Sequence, residues 1–227
     1  MTIRKVEAAA IFFGTGWLSR QPPSFRTEVI ERGHVEDFAP GDIVYRIGDV
    51  SGGIYGLMKG VLAISFAVTH GPPRFVQFGI AGAWAGEGPF LTGEPRRVEM
   101  RATTACTLFY LPIEAMQQMA ARDPEAIRCF ARITIGHFDI LSRVINDLLI
   151  SRADRRIASV LQRASELQAK TIPISQSALG EMANASRKQV NAALARFEKE
   201  GWISHNYRSI EVLDGAALFR YAQSNET

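Results

Sequence analysis

The 227-residue chain has few of the residues that build disulfide frameworks and metal centres. It contains two cysteines and four histidines, and Cys106 and Cys129 lie too far apart to form a CxxC motif. An iron–sulfur cluster needs about four cysteine ligands. Sparse, unpaired cysteines are typical of a reducing compartment. We therefore expect a cytoplasmic protein with no disulfide framework, no metal centre and no iron–sulfur cluster.

Long hydrophobic runs are also missing. No apolar run reaches the roughly 18 residues that cross a membrane, and the first residues lack a secretion signal pattern. We therefore expect no membrane partner. The charge is unevenly distributed, since residues 151–227 carry a net charge of +3 and residues 1–150 carry none. This excess points to a polyanionic partner for the last third of the chain.

The first 120 residues consist of short apolar runs separated by glycines. A helix is predicted at residues 24–32, before the first of these runs. Several short strands at close spacing are typical of a β-sandwich or β-barrel. The predicted strands are residues 43–45, 54–57, 61–68, 74–78 and 107–111.

A long helix is predicted from about residue 124 to residue 150. Asp123 can cap it, and Pro124 suits its first turn. Ile133 and Ile140 form a second apolar edge that could pack on the β domain. The helix could associate with a second copy of itself, or it could be an amphipathic helix that packs only on its own domain. A 3-4 alternation predicts the seam of a dimer, formed by Ile127, Phe130, Thr134, His137, Leu141, Val144 and Leu148.

The helical spacing of apolar residues restarts after residue 150, so we place a domain boundary there. Ile157, Val160, Leu161 and Ala164 predict a new amphipathic helix.

The following segment predicts a winged helix-turn-helix. Ser175 can cap a short helix, a tight turn follows at Asn184-Ala185, and Ser186 and Gln189 are spaced as a capping box. Gly201 is placed to end the second helix, and residues 203–212 predict a strand pair. The predicted buried stripe of the second helix consists of Val190, Ala193, Leu194 and Phe197.

The second helix of such a motif enters the major groove with its N-terminal residues first. Arg187 and Lys188 can pair with guanine, and Asn191 can pair with adenine. A two-fold symmetric dimer would bind a palindromic site with half-sites about one helical turn apart. The candidate DNA-binding residues are Ser186, Arg187, Lys188, Gln189 and Asn191.

The sequence resembles the Crp/Fnr family of bacterial transcription regulators over nearly its whole length. The resemblance rests on residues 41–49, residues 53–57 with Gly60, Gly86-Glu87 followed by residues 95–97, Leu111-Pro112, and Ser186-Arg187 with Val190 and Gly201. It implies an α+β chain with a jelly-roll-like β-roll sensor domain at 1–122, a dimerisation helix at 123–150, and a winged helix-turn-helix DNA-binding domain at 151–227. It also implies a homodimer, allosteric control of DNA binding, and RNA polymerase as a partner.

The same resemblance implies a small-molecule effector. Glu87 and Arg96 match the cyclic-nucleotide-binding version, but Arg97 stands where that version has a serine, and an arginine there would crowd a cyclic phosphate. At the purine contacts, His137 replaces an arginine and Leu141 a threonine. We therefore expect a small anionic effector other than cyclic AMP, with a cyclic-AMP-responsive regulator as the alternative. The candidate effector residues are Gly86, Glu87, Arg96, Arg97, His137 and Ser142.

A purely structural interpretation competes with the effector role of Glu87 and Arg96, which could form a mutual salt bridge that closes the β-roll. His137, at a seam position, would meet its counterpart across the dimer axis. Protonation there would place like charges together and weaken the active arrangement in mild acid. The structural alternative for His137 is a buried neutral histidine that is hydrogen-bonded across the seam.

The remote alternative is a cupin-like β-roll metalloenzyme. Such an enzyme needs clustered metal ligands, whereas the histidines at 34, 70, 137 and 205 form no HxH or HxxxH pair. No P-loop, GxSxG or HExxH motif is present, so we expect no catalytic residues. Haem would need a ligand such as His70 or His137, and a lone histidine on a helix seam is more typical of packing, which argues against haem.

Overall fold

The computed structural model describes residues 2–50, 52–66, 74–166, 171–172, 174–206 and 209–224. The chain divides into two compact units, residues 1–140 and residues 141–227. The division falls inside one long helix, which contributes residues to both units. The three-part division predicted from the sequence, with this helix as a separate element, stays a prediction.

The N-terminal unit contains two antiparallel four-stranded sheets, as in a jelly roll. One sheet has the order β1-β8-β3-β6 and the other β2-β7-β4-β5. The strands are β1 His34–Phe38, β2 Ile43–Tyr45, β3 Ile54–Lys59, β4 Leu62–Phe66, β5 Arg74–Gly79, β6 Trp84–Ala85, β7 Val98–Ala102 and β8 Cys106–Leu111. This architecture confirms the predicted β domain.

Helices precede, interrupt and follow these strands. They are α1 Ile3–Gly14, a 3-10 turn at Leu18–Arg20, α2 Pro23–Arg32, α3 Gly88–Thr92, α4 Ile113–Arg122 and α5 Glu125–Leu149. Asp123 accepts a hydrogen bond from the Glu125 amide at 3.0 Å, as expected of a residue placed to cap α5.

Two buried clusters form the core of this unit. One lies between the two sheets and includes Tyr45 and Leu57. The other lies between the first sheet and the helices and includes Phe12, Phe109 and Phe130. Because alternate residues of a strand point to opposite faces, the strands of the first sheet contribute to both clusters. The first sheet therefore holds α5 through Phe130, which is completely buried.

The C-terminal unit is a helical domain with a small sheet of order β10-β11-β9. Besides the end of α5, it contains α6 Ala153–Glu166, β9 Thr171–Ile172, α7 Gln176–Met182, α8 Arg187–Lys199, β10 Ile203–Asn206, β11 Ser209–Val212 and α9 Gly215–Gln223. The predicted apolar stripes of α6 and α8 are both buried. This arrangement confirms the predicted helix-turn-helix with a β-wing, and β9 extends the wing by a third strand.

No helix among the residues described is long and apolar enough to cross a membrane. Part of the predicted strand at residues 61–68 and part of the predicted strand pair at residues 203–212 lie outside the described residues.

Candidate nucleic-acid interface and effector site

The N-terminus of α8 is fixed by the predicted capping box. The Ser186 side chain accepts from the Gln189 amide at 3.4 Å, and Gln189 Oε1 accepts from the Ser186 amide at 2.9 Å. At the other end of the helix, Gly201 has a φ of +75°, a conformation that L side chains rarely adopt. Both ends of α8 are therefore specified by local sequence.

The face of α8 opposite the core is exposed. Val190, Leu194 and Phe197 are buried, whereas Arg187, Lys188 and the other predicted DNA-binding residues are exposed. The exposed polar residues on this face are Ser186, Arg187, Lys188, Gln189 and Asn191. The first turn of α8 thus presents two cations and an amide side chain together, which is the chemistry that reads base edges in a major groove.

Glu87, the glutamate of the candidate effector site, is bound by two side chains of α5. Glu87, only 6% exposed, accepts from Thr134 Oγ1 at 2.9 Å and lies 3.2 Å from His137 Nδ1. His137 Nε2 lies 3.0 Å from the carbonyl oxygen of Trp84. Because both ring nitrogens of His137 face oxygens that can only accept, the geometry fits the doubly protonated imidazolium.

Glu87 and His137 stabilise each other's charged form. Burial alone would raise the pKa of Glu87, but its hydrogen bond and charge interaction with His137 lower the pKa below its ordinary value. Burial alone would lower the pKa of His137, but Glu87 raises it above the ordinary value. Within its own chain the imidazole of His137 binds the Glu87 carboxylate, and the expected repulsion between His137 and its counterpart across a dimer axis stays a prediction.

Arg96 is the buried cation of the site. It is 4% exposed, its guanidinium lies 4.1 Å from the centre of the Tyr45 ring, and its two terminal nitrogens donate to the carbonyl oxygens of Gly86 at 2.7 Å and Gly53 at 2.8 Å. Gly86 has a φ of +107°, and a Cβ there would lie 2.4 Å from the guanidinium. The glycine is therefore required for Arg96 to occupy this position.

The expected salt bridge between Glu87 and Arg96 is wrong. Glu87 pairs with His137, and Arg96 binds backbone carbonyls. Tyr45 is a further polar residue buried at this site. Burial raises the pKa of its hydroxyl, although the positive charge of Arg96 acts in the opposite direction. Tyr45 and Thr134 are functional candidates that the sequence analysis missed for this site. The resemblance of residues 41–49 to the family signature was the signal available for Tyr45.

The remaining predicted effector residues are Arg97 and Ser142. The side chain of Arg97 is 79% exposed and forms an ion pair with Glu94. It does not crowd the space beside Arg96, which corrects the steric argument made from the sequence. Ser142 lies on α5 in the C-terminal unit.

Phe130 and Val144 of the predicted dimer seam need correction because they are buried within the chain, and the rest of the seam stays a prediction. Phe130 is completely buried in the core of the N-terminal unit, Thr134 and His137 bind Glu87, and Val144 is only 9% exposed. A different apolar stripe of α5 is exposed, and its residues are again separated by three and four positions. The exposed stripe consists of Ile135 (62% exposed), Phe138 (67%), Ile145 (58%) and Leu149 (76%), with Ser142 between them. Ile127 and Leu148, from the predicted set, are also exposed, and Leu141 is half-buried.

The residues considered for metal or haem do not assemble into a site within the described ranges. No group of three or more metal-ligating side chains occurs there. Cys106 and Cys129 are buried free thiols. His70 lies outside the described residues.

Two models of known protein families match separate parts of the chain. A model of the cyclic nucleotide-binding domain matches residues 35–123, and a model of the Crp-like helix-turn-helix domain matches residues 155–221. The HTH-type transcriptional regulator Cmr of Mycobacterium tuberculosis is 24% identical, covering 92% of this chain and 84% of its own. The cAMP-activated global transcriptional regulator CRP of Salmonella typhimurium is 22% identical, covering 79% of this chain and 89% of its own.

Solved structures share the fold. FixK2 from Bradyrhizobium japonicum has a TM-score of 0.71 at 16% identity, covering 86% of this chain and 99% of FixK2. A CRP-family transcriptional regulator from Thermus thermophilus has a TM-score of 0.68 at 24% identity, covering 83% of this chain and 97% of that regulator.

Proposed function

The chain belongs to the Crp/Fnr family of DNA-binding transcription regulators, and from that premise we propose that it acts as a homodimer that binds a palindromic duplex and responds to a small anionic effector. RNA polymerase is the proposed further partner, the cytoplasm the proposed location, and the role is regulatory rather than catalytic. The observation that carries the proposal is the capped, exposed N-terminal part of α8, with Arg187 and Lys188 in its first turn and Asn191 one turn further on.

We assign base reading to Arg187, Lys188 and Asn191. Arg187 and Lys188 would pair with guanine O6 and N7, and Asn191 with adenine N6 and N7. Ser186 and Gln189 satisfy each other in the capping box and hold the turn in place. Each correct bidentate pair contributes about 1–3 kcal/mol of discrimination against other bases.

A matched pair of variants tests the base-reading role. Arg187→Ala should weaken binding to the preferred duplex by about 1–3 kcal/mol and leave binding to random-sequence DNA nearly unchanged. Lys199→Ala removes the same charge from the far end of α8 and should affect both duplexes equally. Gel-shift or anisotropy titrations supply the dissociation constants. An equal loss on both duplexes for Arg187→Ala would reduce that residue to a phosphate contact.

The dimer is proposed to form along the exposed stripe of α5. Its 3-4 spacing is that of a two-stranded coiled coil, and Ile135, Phe138, Ile145 and Leu149 each expose more than half of their surface. Large exposed apolar patches of this kind are characteristic of interaction sites. A two-fold dimer along this helix would give the DNA-binding units the symmetry that a palindromic site requires.

The effector is proposed to be a small anion held near Arg96 and Glu87. Among the described residues no carboxylate pairs with Arg96, and the charge of Glu87 is balanced by His137. With His137 protonated, the buried cluster of Arg96, Glu87 and His137 carries one net positive charge, which favours an anion. Cyclic AMP fits less well, because His137 stands at a purine-contact position of the family and is already bound to Glu87 and to the Trp84 carbonyl.

A further inference from the structure

One arginine in the C-terminal unit binds four backbone carbonyls. Arg156, in the first turn of α6, donates through Nε to Ala183 at 2.7 Å and through Nη2 to Asn184 at 2.9 Å. Its Nη1 donates to Ile150 at 2.7 Å and to Ser151 at 2.8 Å. A guanidinium has five N–H donors in a rigid planar fork. Arg156 therefore uses most of its donors and joins two separate segments of backbone.

The two segments lie at opposite ends of the path from α5 to α8. Ile150 and Ser151 directly follow the last residue of α5, so their carbonyls mark the hinge between α5 and α6. Ala183 and Asn184 form the turn between α7 and α8 and directly precede Ala185 and the capping residue Ser186. Asn184 has a φ of +45°, the one positive φ outside glycine among the described residues. The carbonyls at the end of a helix lack intrahelical partners and carry partial negative charge, which favours a cation there.

The end of α5 is attached to α6 by a second, independent set of contacts. Asp147 is 9% exposed, accepts from Ser159 Oγ at 2.5 Å, and forms an ion pair with Arg163. Both of these partners lie on α6. Loss of the Arg156 side chain would therefore leave α5 and α6 joined through Asp147. It would remove the two hydrogen bonds that connect α6 to the turn before α8.

From this arrangement we propose that Arg156 is a positioning residue that couples the direction of the end of α5 to the orientation of α8, without contacting DNA. The proposal rests on the proposed function, because orientation matters only if two copies of α8 read one duplex. In such a dimer the separation of the two recognition helices sets which half-site spacing is bound. Arg156 would then determine the selectivity for half-site spacing rather than the identity of the bases.

The test uses the full chain and duplexes that the wild-type protein selects from a random pool. Affinities are measured for the selected spacing and for duplexes with one base pair inserted or removed between the half-sites. Arg156→Met removes all four hydrogen bonds, and Arg156→Lys keeps the charge but offers a single ammonium that can reach only one segment. Arg220→Met is the control, because Arg220 is exposed on α9 and its loss removes the same charge.

We expect both Arg156 variants to remain folded by circular dichroism and to lose spacing discrimination by about 5-fold or more, within the roughly 5- to 150-fold range of coupled sites. The Arg220 control should keep the wild-type discrimination. The slope of log affinity against log salt should stay unchanged, since a lost phosphate contact would lower it by about one.

Several results would overturn the proposal. A folded Arg156 variant that keeps the wild-type discrimination between spacings would do so, as would one that loses affinity equally at every spacing. A smaller slope of log affinity against log salt, or failure of both variants to fold, would also overturn it. If the wild-type chain selects no inverted repeat, the proposed function fails and the role of Arg156 fails with it. If the wild type selects one and the variants share its profile, only the role of Arg156 fails.

Discussion

Replacing His137 with glutamine tests whether the contact between Glu87 and His137 is an ion pair inside one chain. His137 binds a buried carboxylate and a backbone carbonyl through its two ring nitrogens, so loss of its proton forfeits one of these two hydrogen bonds. A hydrogen bond that involves a charged group contributes about 1.5–3 kcal/mol. We expect His137→Gln to lower the free energy of unfolding of the N-terminal unit by about that amount where the pair is fully ionised.

The pH range of this effect follows from the two pKa shifts. The raised pKa of His137 means that its contribution is complete below 6.5 and is lost as the pH rises through the folded-state value. The lowered pKa of Glu87 means that its contribution is present above 4.5 and is lost as the pH falls through the folded-state value. The difference between wild type and variant should therefore be largest between pH 4.5 and 6.5 and should shrink towards about pH 9.

Urea unfolding followed by tryptophan fluorescence measures this difference. The chain has three tryptophans, so a Trp202→Phe background leaves Trp17 and Trp84, both in the N-terminal unit. His34→Gln is the control, because His34 pairs with Glu36 on the surface and should change stability by less than about 0.5 kcal/mol. A constant difference between wild type and His137→Gln from about pH 5 to about pH 9 would refute the ion pair.

Two further predictions concern association and the effector. Phe138→Glu combined with Ile145→Glu should give monomers by analytical ultracentrifugation, since burial of each such side chain contributes about 1.5–3 kcal/mol and each counts twice in a symmetric dimer; an unchanged dimer would place the interface elsewhere. Cyclic AMP should change the DNA affinity of the full chain by less than about twofold, below the roughly 5-fold lower limit of typical coupling. The reason is that His137, at a purine-contact position of the family, is already bound to Glu87 and to the Trp84 carbonyl. A tight, cyclic-AMP-dependent gain in affinity would contradict the preference for another anion.

Elements with strong local signals were predictable from the sequence. The helix α8 was predicted with its capping box, buried stripe and terminal glycine, because caps and periodicity are encoded within a few residues. The helix α5 was predicted within one residue at each end. The sequence analysis missed several elements, since their stability comes from tertiary packing that a local pattern does not reveal. The missed elements are the strands β1, β6, β7 and β9 and the helices α1, α3, α4 and α9.

The errors at the candidate sites have a common physical origin. The helix α5 carries apolar residues on two faces, and periodicity cannot tell which face meets its own β domain and which remains exposed. The face with Phe130 was therefore assigned to a dimer, although it packs inside the N-terminal unit. Likewise, sequence suggested a pair between Glu87 and Arg96, but the choice of partner depends on how α5 lies against the strands. Sequence spacing contains no information on that contact.

Selection of duplexes from a random-sequence pool by the full-length chain tests the central claim most directly. Two copies of α8, each presenting Arg187, Lys188 and Asn191, should enrich an inverted repeat whose half-site centres lie about one helical turn apart. The enriched half-sites should contain guanine or adenine at the positions protected by the protein. Recovery of DNA with no enriched sequence, or with a single site lacking two-fold symmetry, would contradict the account.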